Sequence, residues 1–263
     1  MNTLTALVTG ASEGLGKSFA FELAERGIAL VLVSLPDTGL ERLAAYIEKN
    51  FSVPVVYFEA DLTLTEEYIR LFTSLKEREI HVNILINNAG IGNWSWFEDQ
   101  NIAFYKRQIE LNVIAPVLLT KLFLEQVRKP EQSYVLNVGS LGGLFVVPKK
   151  QVYGATKSFI SYFTRCLRLE LSQSNVQVSL LSPGGIHTKP ELLLLTESLK
   201  GISKAAILEP EDVAKAAVKG MLSGKKEIIP GRINQVLVML NGLLPSLVKE
   251  MIIRARLKGI FGV

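Results

Sequence analysis

Short apolar runs alternate along the chain with longer stretches in which apolar residues recur every three or four positions. The runs at residues 4–8, 29–34, 53–59, 83–87, 134–138 and 176–181, with a shorter one at 227–229, are rich in Val, Ile and Leu. Most are continuously apolar rather than alternating, which predicts parallel strands covered on both faces. Residues 14–26, 40–49, 66–78, 102–127, 152–172 and 210–222 carry the helical period instead. Right-handed crossovers between such runs predict an α/β fold, a doubly wound and mostly parallel sheet of seven strands with helices on both faces and ligands at the C-terminal strand ends. No linker divides residues 1–263, so one domain is expected.

Two segments stand apart from this alternation. Residues 189–208 contain Leu192, Leu193, Leu194 and Leu195, too apolar a run for a purely solvated loop. In the tail, residues 231–263, positions 235–248 are mostly Val, Leu and Met, interrupted by Asn241, Gly242 and Pro245, and positions 249–258 are basic and amphipathic. That stretch is too short and too broken to span a bilayer. It is expected to lie on a membrane surface, to bury against a second subunit, or to pack on the parent domain.

Composition narrows the picture. A hydrophobic content of 48% supports a substantial core, and the lone Cys166 excludes an internal disulfide framework and fits a reducing compartment. The first residues show no secretory pattern, so a cytoplasmic protein is expected. The net charge of +4 is dispersed over helix faces except for Arg254, Arg256 and Lys258, so no nucleic-acid partner is expected. His81 and His187 are the only histidines, and no Cys/His/carboxylate cluster has metal-ligand spacing.

The candidate chemistry lies in two places. Tyr153 and Lys157 are four apart, so on a helix they share a face, and a cation beside a phenol favours the phenolate and brings its acid-base chemistry towards neutral pH. Ser140, upstream, offers a hydroxyl to a developing oxyanion. Taken alone, such a pair is most often a packed ring beside a solvated amine. At the other end of the chain an apolar run leads through Thr9, Gly10, Ser12, Gly14, Leu15 and Gly16 into an amphipathic stretch. A strand, a glycine turn and a helix N-terminus are the parts of a dinucleotide phosphate site. Gly10 would permit the turn, Gly14 a close approach of backbone to pyrophosphate, and Gly16 close helix-strand packing.

Together these residues resemble the short-chain dehydrogenase/reductases, NAD(P)-dependent enzymes built on one Rossmann domain. The likeness spans nearly the whole chain and includes Asn87, Asn88, Ala89 and Gly90 after the fourth run, Asn112, and Pro183, Gly184, Gly185, Ile186, His187 and Thr188 after the sixth. The resemblance implies a catalytic set of Asn112, Ser140, Tyr153 and Lys157. Tyr153 would exchange the proton with the substrate oxygen. Lys157 would lower the tyrosine pKa and hold the nicotinamide ribose. Asn112 would position the water that reprotonates Lys157. Cofactor contacts are implied at Gly10, Ser12, Gly14, Leu15 and Gly16, at Ser34 by the ribose, and at Asp61 and Leu62 by the adenine. Asn88, Ala89 and Gly90, Tyr153 and Lys157, and Pro183, Gly184, Ile186 and Thr188 complete the set.

Residues 189–208 correspond to the family's substrate lid and read equally as a core helix. The tail resembles that of the 3-oxoacyl reductase branch. The implied substrate is a small apolar carbonyl or alcohol, acyl or steroid-like, and the expected assembly is a homodimer or homotetramer. A cofactor-binding protein that associates with a membrane or partner and turns over little is the alternative. NAD(P)(H) is the expected cofactor. An acidic residue or an arginine at the end of the second strand would choose between its two forms. The strand instead ends Ser34, Leu35, Pro36, and Glu13 stands where relatives often carry a basic residue, which tilts the expectation towards NAD(H).

Overall fold

The computed structural model describes residues 4–127, 131–187, 206–245, 247–251 and 254. Seven strands form one sheet in the order β3-β2-β1-β4-β5-β6-β7. They are β1 (Thr5–Thr9), β2 (Ala29–Ser34), β3 (Val55–Glu59), β4 (Ile84–Asn87), β5 (Ser133–Val138), β6 (Val176–Leu181) and β7 (Glu227–Ile228). Every neighbouring pair is parallel. β1 pairs with β2 on one side and β4 on the other, so the strand order reverses there and opens a crevice at the C-terminal ends.

Alternation along each strand sends successive side chains to opposite faces, which is why the runs are apolar throughout. Ala6, Val8, Leu30, Leu32, Ile84, Ile86 and Leu136 meet α1 (Gly14–Glu25), α2 (Leu40–Phe51) and α7 (Pro210–Leu222). Leu7, Val31, Val33, Leu85 and Val135 meet α3 (Thr65–Glu77) and α5 (Ala115–Gln126) on the other face. Phe19 of α1 is wholly buried in the first layer, and its truncation to alanine would cost about 3–5 kcal/mol.

Two departures from the sequence pattern have local causes. β3 begins at Val55 because Pro54 has no N–H to give a ladder, although its carbonyl still accepts from Leu30 N at 2.9 Å. The stretch expected as one helix over 102–127 is instead α4 (Ile102–Ile109), a π-helical segment Glu110–Ile114, and α5. Pro116 explains the break: it lacks an amide proton, and its ring pushes on the carbonyl four residues back, that of Asn112. Two further helices are α6 (Gln151–Glu170) and α8 (Arg232–Leu243). α8 runs through Asn241 and Gly242, where an interruption was expected.

Candidate active site

The C-terminal ends of β1 and β4 are knitted together by one hydroxyl. Thr9 Oγ1 accepts from the amides of Asn88 and Ala89, both at 3.0 Å, and donates to Ile86 O at 3.2 Å. Asn88 returns the contact, its Nδ2 donating to Thr9 O at 2.8 Å and Gly10 O at 3.3 Å. Gly10 has φ 65°, a conformation that favours glycine, and a Cβ there would come within 3.0 Å of Ala89 Cα. At Gly16 a Cβ would overlap the Gly10 carbonyl, so α1 can pack on β1 only without a side chain at that position. No side chain caps α1, which leaves its first-turn amides, those of Gly14, Leu15 and Gly16, facing the crevice. A backbone cradle that a methyl would fill, at the positive end of a helix, fits a dinucleotide phosphate.

The other implied contacts lie around this cradle. The Ser12 and Ser34 hydroxyls are 2.7 Å apart, so two residues from different loops meet at the end of β2. Asp61 Oδ1 accepts from Thr63 N at 3.0 Å and Thr63 Oγ1 at 2.8 Å, which shapes the turn after β3, and Leu62 is buried beneath it. Pro183 O accepts from Leu141 N at 2.9 Å, joining the ends of β5 and β6. A Cβ at Gly184 would stand 2.8 Å from the amide of the buried Asn234, which donates to Ala206 O at 3.1 Å and Pro230 O at 3.0 Å. Ile186 makes a parallel bridge to Leu208. Beside it His187 Nδ1 lies 2.6 Å from Glu209 Oε1. Thr188 and the 189–205 part of the expected lid lie outside the described residues.

Beyond β4 and β5 the structure gathers the four candidate catalytic side chains. Ser140 begins the 3₁₀ turn Leu141–Gly143, accepting from Gly142 N at 3.0 Å. Tyr153 and Lys157 project from the first turns of α6, with Lys157 Nζ 5.8 Å from the tyrosine ring centroid. Burial pushes the Tyr153 pKa up, and a hydrogen bond from Ser140 pulls it down. Lys157 is buried, its Nζ donates to Val138 O at 2.8 Å, and burial pushes its pKa down to about 8. Asn112 is buried in the π segment, accepting from Ile91 N at 2.9 Å and donating to Ile91 O at 2.9 Å and Thr156 Oγ1 at 3.1 Å. Gly90 touches both partners: a Cβ there would stand 3.1 Å from Asn112 Oδ1 and 3.5 Å from Lys157 Nζ. The widened helical turn thus ties Asn112 to Ile91 and Thr156, on the loop and the helix that border Lys157.

Several residues of this site were not singled out from the sequence. Thr156 accepts from Asn112 and donates to Tyr153 O at 2.7 Å, coupling the two helices. It is three residues from Tyr153 on the same helix face, a spacing that could have drawn attention to it. Gln108 is buried and donates to Ile91 O at 3.1 Å. Trp94 and Lys150 stand over the tyrosine side of the site. His81 is exposed and outside it, and among the described residues no group of three His, Cys, Asp or Glu side chains is placed to hold a metal.

The family model described as short chain dehydrogenase matches residues 4–192. The very-long-chain 3-oxoacyl-CoA reductase of Macaca fascicularis is 32% identical over 222 residues, covering 81% of this chain and 67% of the relative. A short-chain dehydrogenase from Sphingobium yanoikuyae, solved in complex with NADPH, superposes with a TM-score of 0.80 at 29% identity, covering 91% of this chain and 93% of that one. The bulky-bulky ketone specific alcohol dehydrogenase from Comamonas testosteroni gives a TM-score of 0.78 at 28% identity, with 92% of each chain covered.

Proposed function

The chain belongs to the short-chain dehydrogenase family, oxidoreductases that use NAD(P) on a carbonyl or alcohol, and from that premise we propose that Tyr153 is its proton donor and acceptor. The observation that carries this reading is the convergence of Tyr153, Ser140, Lys157 and Asn112 at one end of the sheet, beside the glycine cradle. In the reductive direction Tyr153 passes its proton to the carbonyl oxygen while Ser140 donates a hydrogen bond to the same atom. Lys157, its ammonium 5.8 Å from the tyrosine ring, favours the phenolate against the burial that raises the phenol's pKa, and Asn112 orients the path by which Lys157 regains a proton. When bound in the cradle, the nicotinamide supplies the hydride in reduction and takes it in oxidation. The backbone around Gly10, Gly14, Gly16, Asn88, Ala89, Gly90, Pro183, Gly184 and Ile186 would hold it, with Ser12, Ser34, Asp61 and Leu62 towards the adenosine end.

The substrate class we favour is an apolar ketone or alcohol, 3-oxoacyl or steroid-like. Its supports are the 3-oxoacyl-CoA reductase relatives, the bulky ketones of the Comamonas enzyme, and the exposed Trp94, which shares the Lys150 ammonium with the Tyr153 ring. Residues 189–208 fit the lid role through their run of leucines. Between the two cofactor forms, the exposed Leu35 at the end of β2 offers no bidentate partner for a 2′-phosphate, and the Ser12–Ser34 hydroxyl pair suits a 2′-hydroxyl. NAD(H) is therefore the form we favour, in a reducing, cytoplasmic setting.

A second reading concerns attachment. Val236, Met239, Leu240, Leu243, Leu247 and Met251 are exposed along α8 and the tail, near Lys249 and Arg254, a combination suited to an anionic membrane surface. Among the described residues no helix is long and apolar enough to cross a membrane. The deciding assay follows oxidation of reduced cofactor by a panel of neutral ketones. Turnover in the wild type with less than a few per cent left in Tyr153→Phe, at nearly unchanged cofactor affinity, is expected. Substantial activity in that variant would defeat the assignment.

A further inference from the structure

Lys150 breaks a local rule. It occupies the N-cap of α6, where Ser, Thr, Asp or Asn would satisfy a free amide and where a cation opposes the helix dipole. Its side chain caps nothing. It is half-buried, burial pushes its pKa below the ordinary lysine value, and among the described residues it has no ion-pair partner. Its ammonium instead stands 5.1 Å from the Tyr153 ring centroid and 5.2 Å from that of Trp94. The Tyr153 ring is thus nearer to Lys150 than to Lys157, at 5.8 Å.

The backbone enforces this placement. Lys150 N donates to Val147 O at 3.1 Å, closing a turn through Pro148 and Lys149, and Lys149 adopts φ 67°, a conformation costly for a residue with a side chain. Ser95 N donates to Lys149 O at 3.2 Å, tying the turn to the loop that carries Trp94. An uncapped helix, a positive φ and a desolvated cation therefore converge on one side chain, over the ring assigned the proton transfer. Among the described residues the groups recorded against that ring are Ser140 and Gly142 after β5, Gly92 after β4, and Lys150 and Lys157 from α6, with Trp94 on the far side of the Lys150 ammonium. Among the described residues none of these is a carboxylate.

We propose that Lys150 is a second cation of the catalytic tyrosine, a positioning residue that favours the Tyr153 phenolate from the ring face. A phenolate spreads negative charge into its ring, so a cation over the face holds it more strongly than it holds the neutral phenol. Lys157 directs one of its protons at Val138 O, which leaves room for a second source of positive potential. The inference rests on the proposed role of Tyr153.

The test compares Lys150→Ser, Lys150→Arg and Lys149→Ser. In Lys150→Ser the Tyr153 limb of the kcat/KM profile should move up by about one pH unit. The Tm should hold or rise by a few degrees, because serine caps α6. KM for a neutral ketone should change less than about twofold. Lys150→Arg should restore the wild-type limb, and Lys149→Ser should leave it in place. An unmoved limb in Lys150→Ser, an equal shift in Lys149→Ser, or an effect confined to KM would overturn the proposal. Should no ketone be turned over, titration of the 13Cζ resonance of Tyr153, assigned through Tyr153→Phe, reads the same shift without chemistry. Its presence there upholds the inference and its absence overturns it, whatever becomes of the proposed reaction.

Discussion

At the scale of single residues, the site spends stability on chemistry. Lys157 is buried, its pKa is pushed down to about 8, and its hydrogen-bond partner is a neutral carbonyl. In the unfolded chain the same lysine keeps its ordinary value of 10.5. Between those values the unfolded state binds the extra proton, so this residue's contribution to stability rises with pH there and is a cost below pH 8. Lys157→Met should therefore abolish turnover yet stabilise the fold at pH 7 by about 1–2 kcal/mol, after allowing for the orphaned Val138 carbonyl. The gain should fade by about pH 10. Denaturant midpoints at the two pH values check this, and a gain that is absent or grows with pH would contradict it. The tyrosine-lysine pair was readable because helical spacing alone makes the two residues neighbours. Lys150 was not, because its position depends on a turn after Pro148 that periodicity does not encode. The cofactor preference is also a residue-scale matter. Leu35→Arg with Glu13→Arg would add guanidinium groups near a 2′-phosphate. The ratio of kcat/KM for NADH to that for NADPH should fall at least tenfold, and an unchanged ratio would show that other residues select.

At the scale of elements, the informative feature is the π segment Glu110–Ile114. A π turn amounts to one residue inserted into an α-helix, and the insertion lets Asn112 reach Ile91 and Thr156 while Ala115, Leu119 and Phe123 still face the core. Deleting Val113 should restore an α-helical register to both flanks and rotate Asn112 out of the site. The expected result is an unchanged far-ultraviolet circular dichroism spectrum and a Tm within a few degrees of wild type, with at least a hundredfold loss of kcat. Retained activity would show that Asn112 does not need the widened turn. The apolar period of residues 102–127 revealed that a helix lies there but could not reveal its irregularity, because both flanks bury the same face. Pro116 was the one available sign, since proline inside a helical pattern removes an amide and crowds the preceding turn.

At the scale of the whole molecule, the sheet was legible because a strand buried on both faces has almost no alternative sequence pattern, and the crossover rule then leaves few topologies. Surfaces meant for other molecules obey no such pattern, since an apolar residue awaiting a partner reads like one awaiting the core. The structure separates the two. Ile102, Ile109 and Ile114 on α4 and the π segment, and Phe159, Tyr162 and Leu169 on α6, are left exposed, Ile102 at 87% and Tyr162 at 74%. These are the helices that bring Asn112 and Tyr153 into the site, so a second copy covering them would also stiffen the catalytic scaffold. Scattered apolar residues are normal on a surface, but several along two packed helices are the ground on which we propose a subunit contact there. The pair Ile109→Asp and Tyr162→Asp should convert a homodimer or homotetramer into a monomer or a smaller assembly, measured by light scattering after size-exclusion chromatography. Activity should fall while the separated chain remains folded, because neither side chain contributes to the core. A wild type already monomeric at micromolar concentration, or a double variant with unchanged mass, would place the subunit contact elsewhere. In the second case the exposed face of α8 becomes the surface to test, through Met239→Glu with Leu243→Glu.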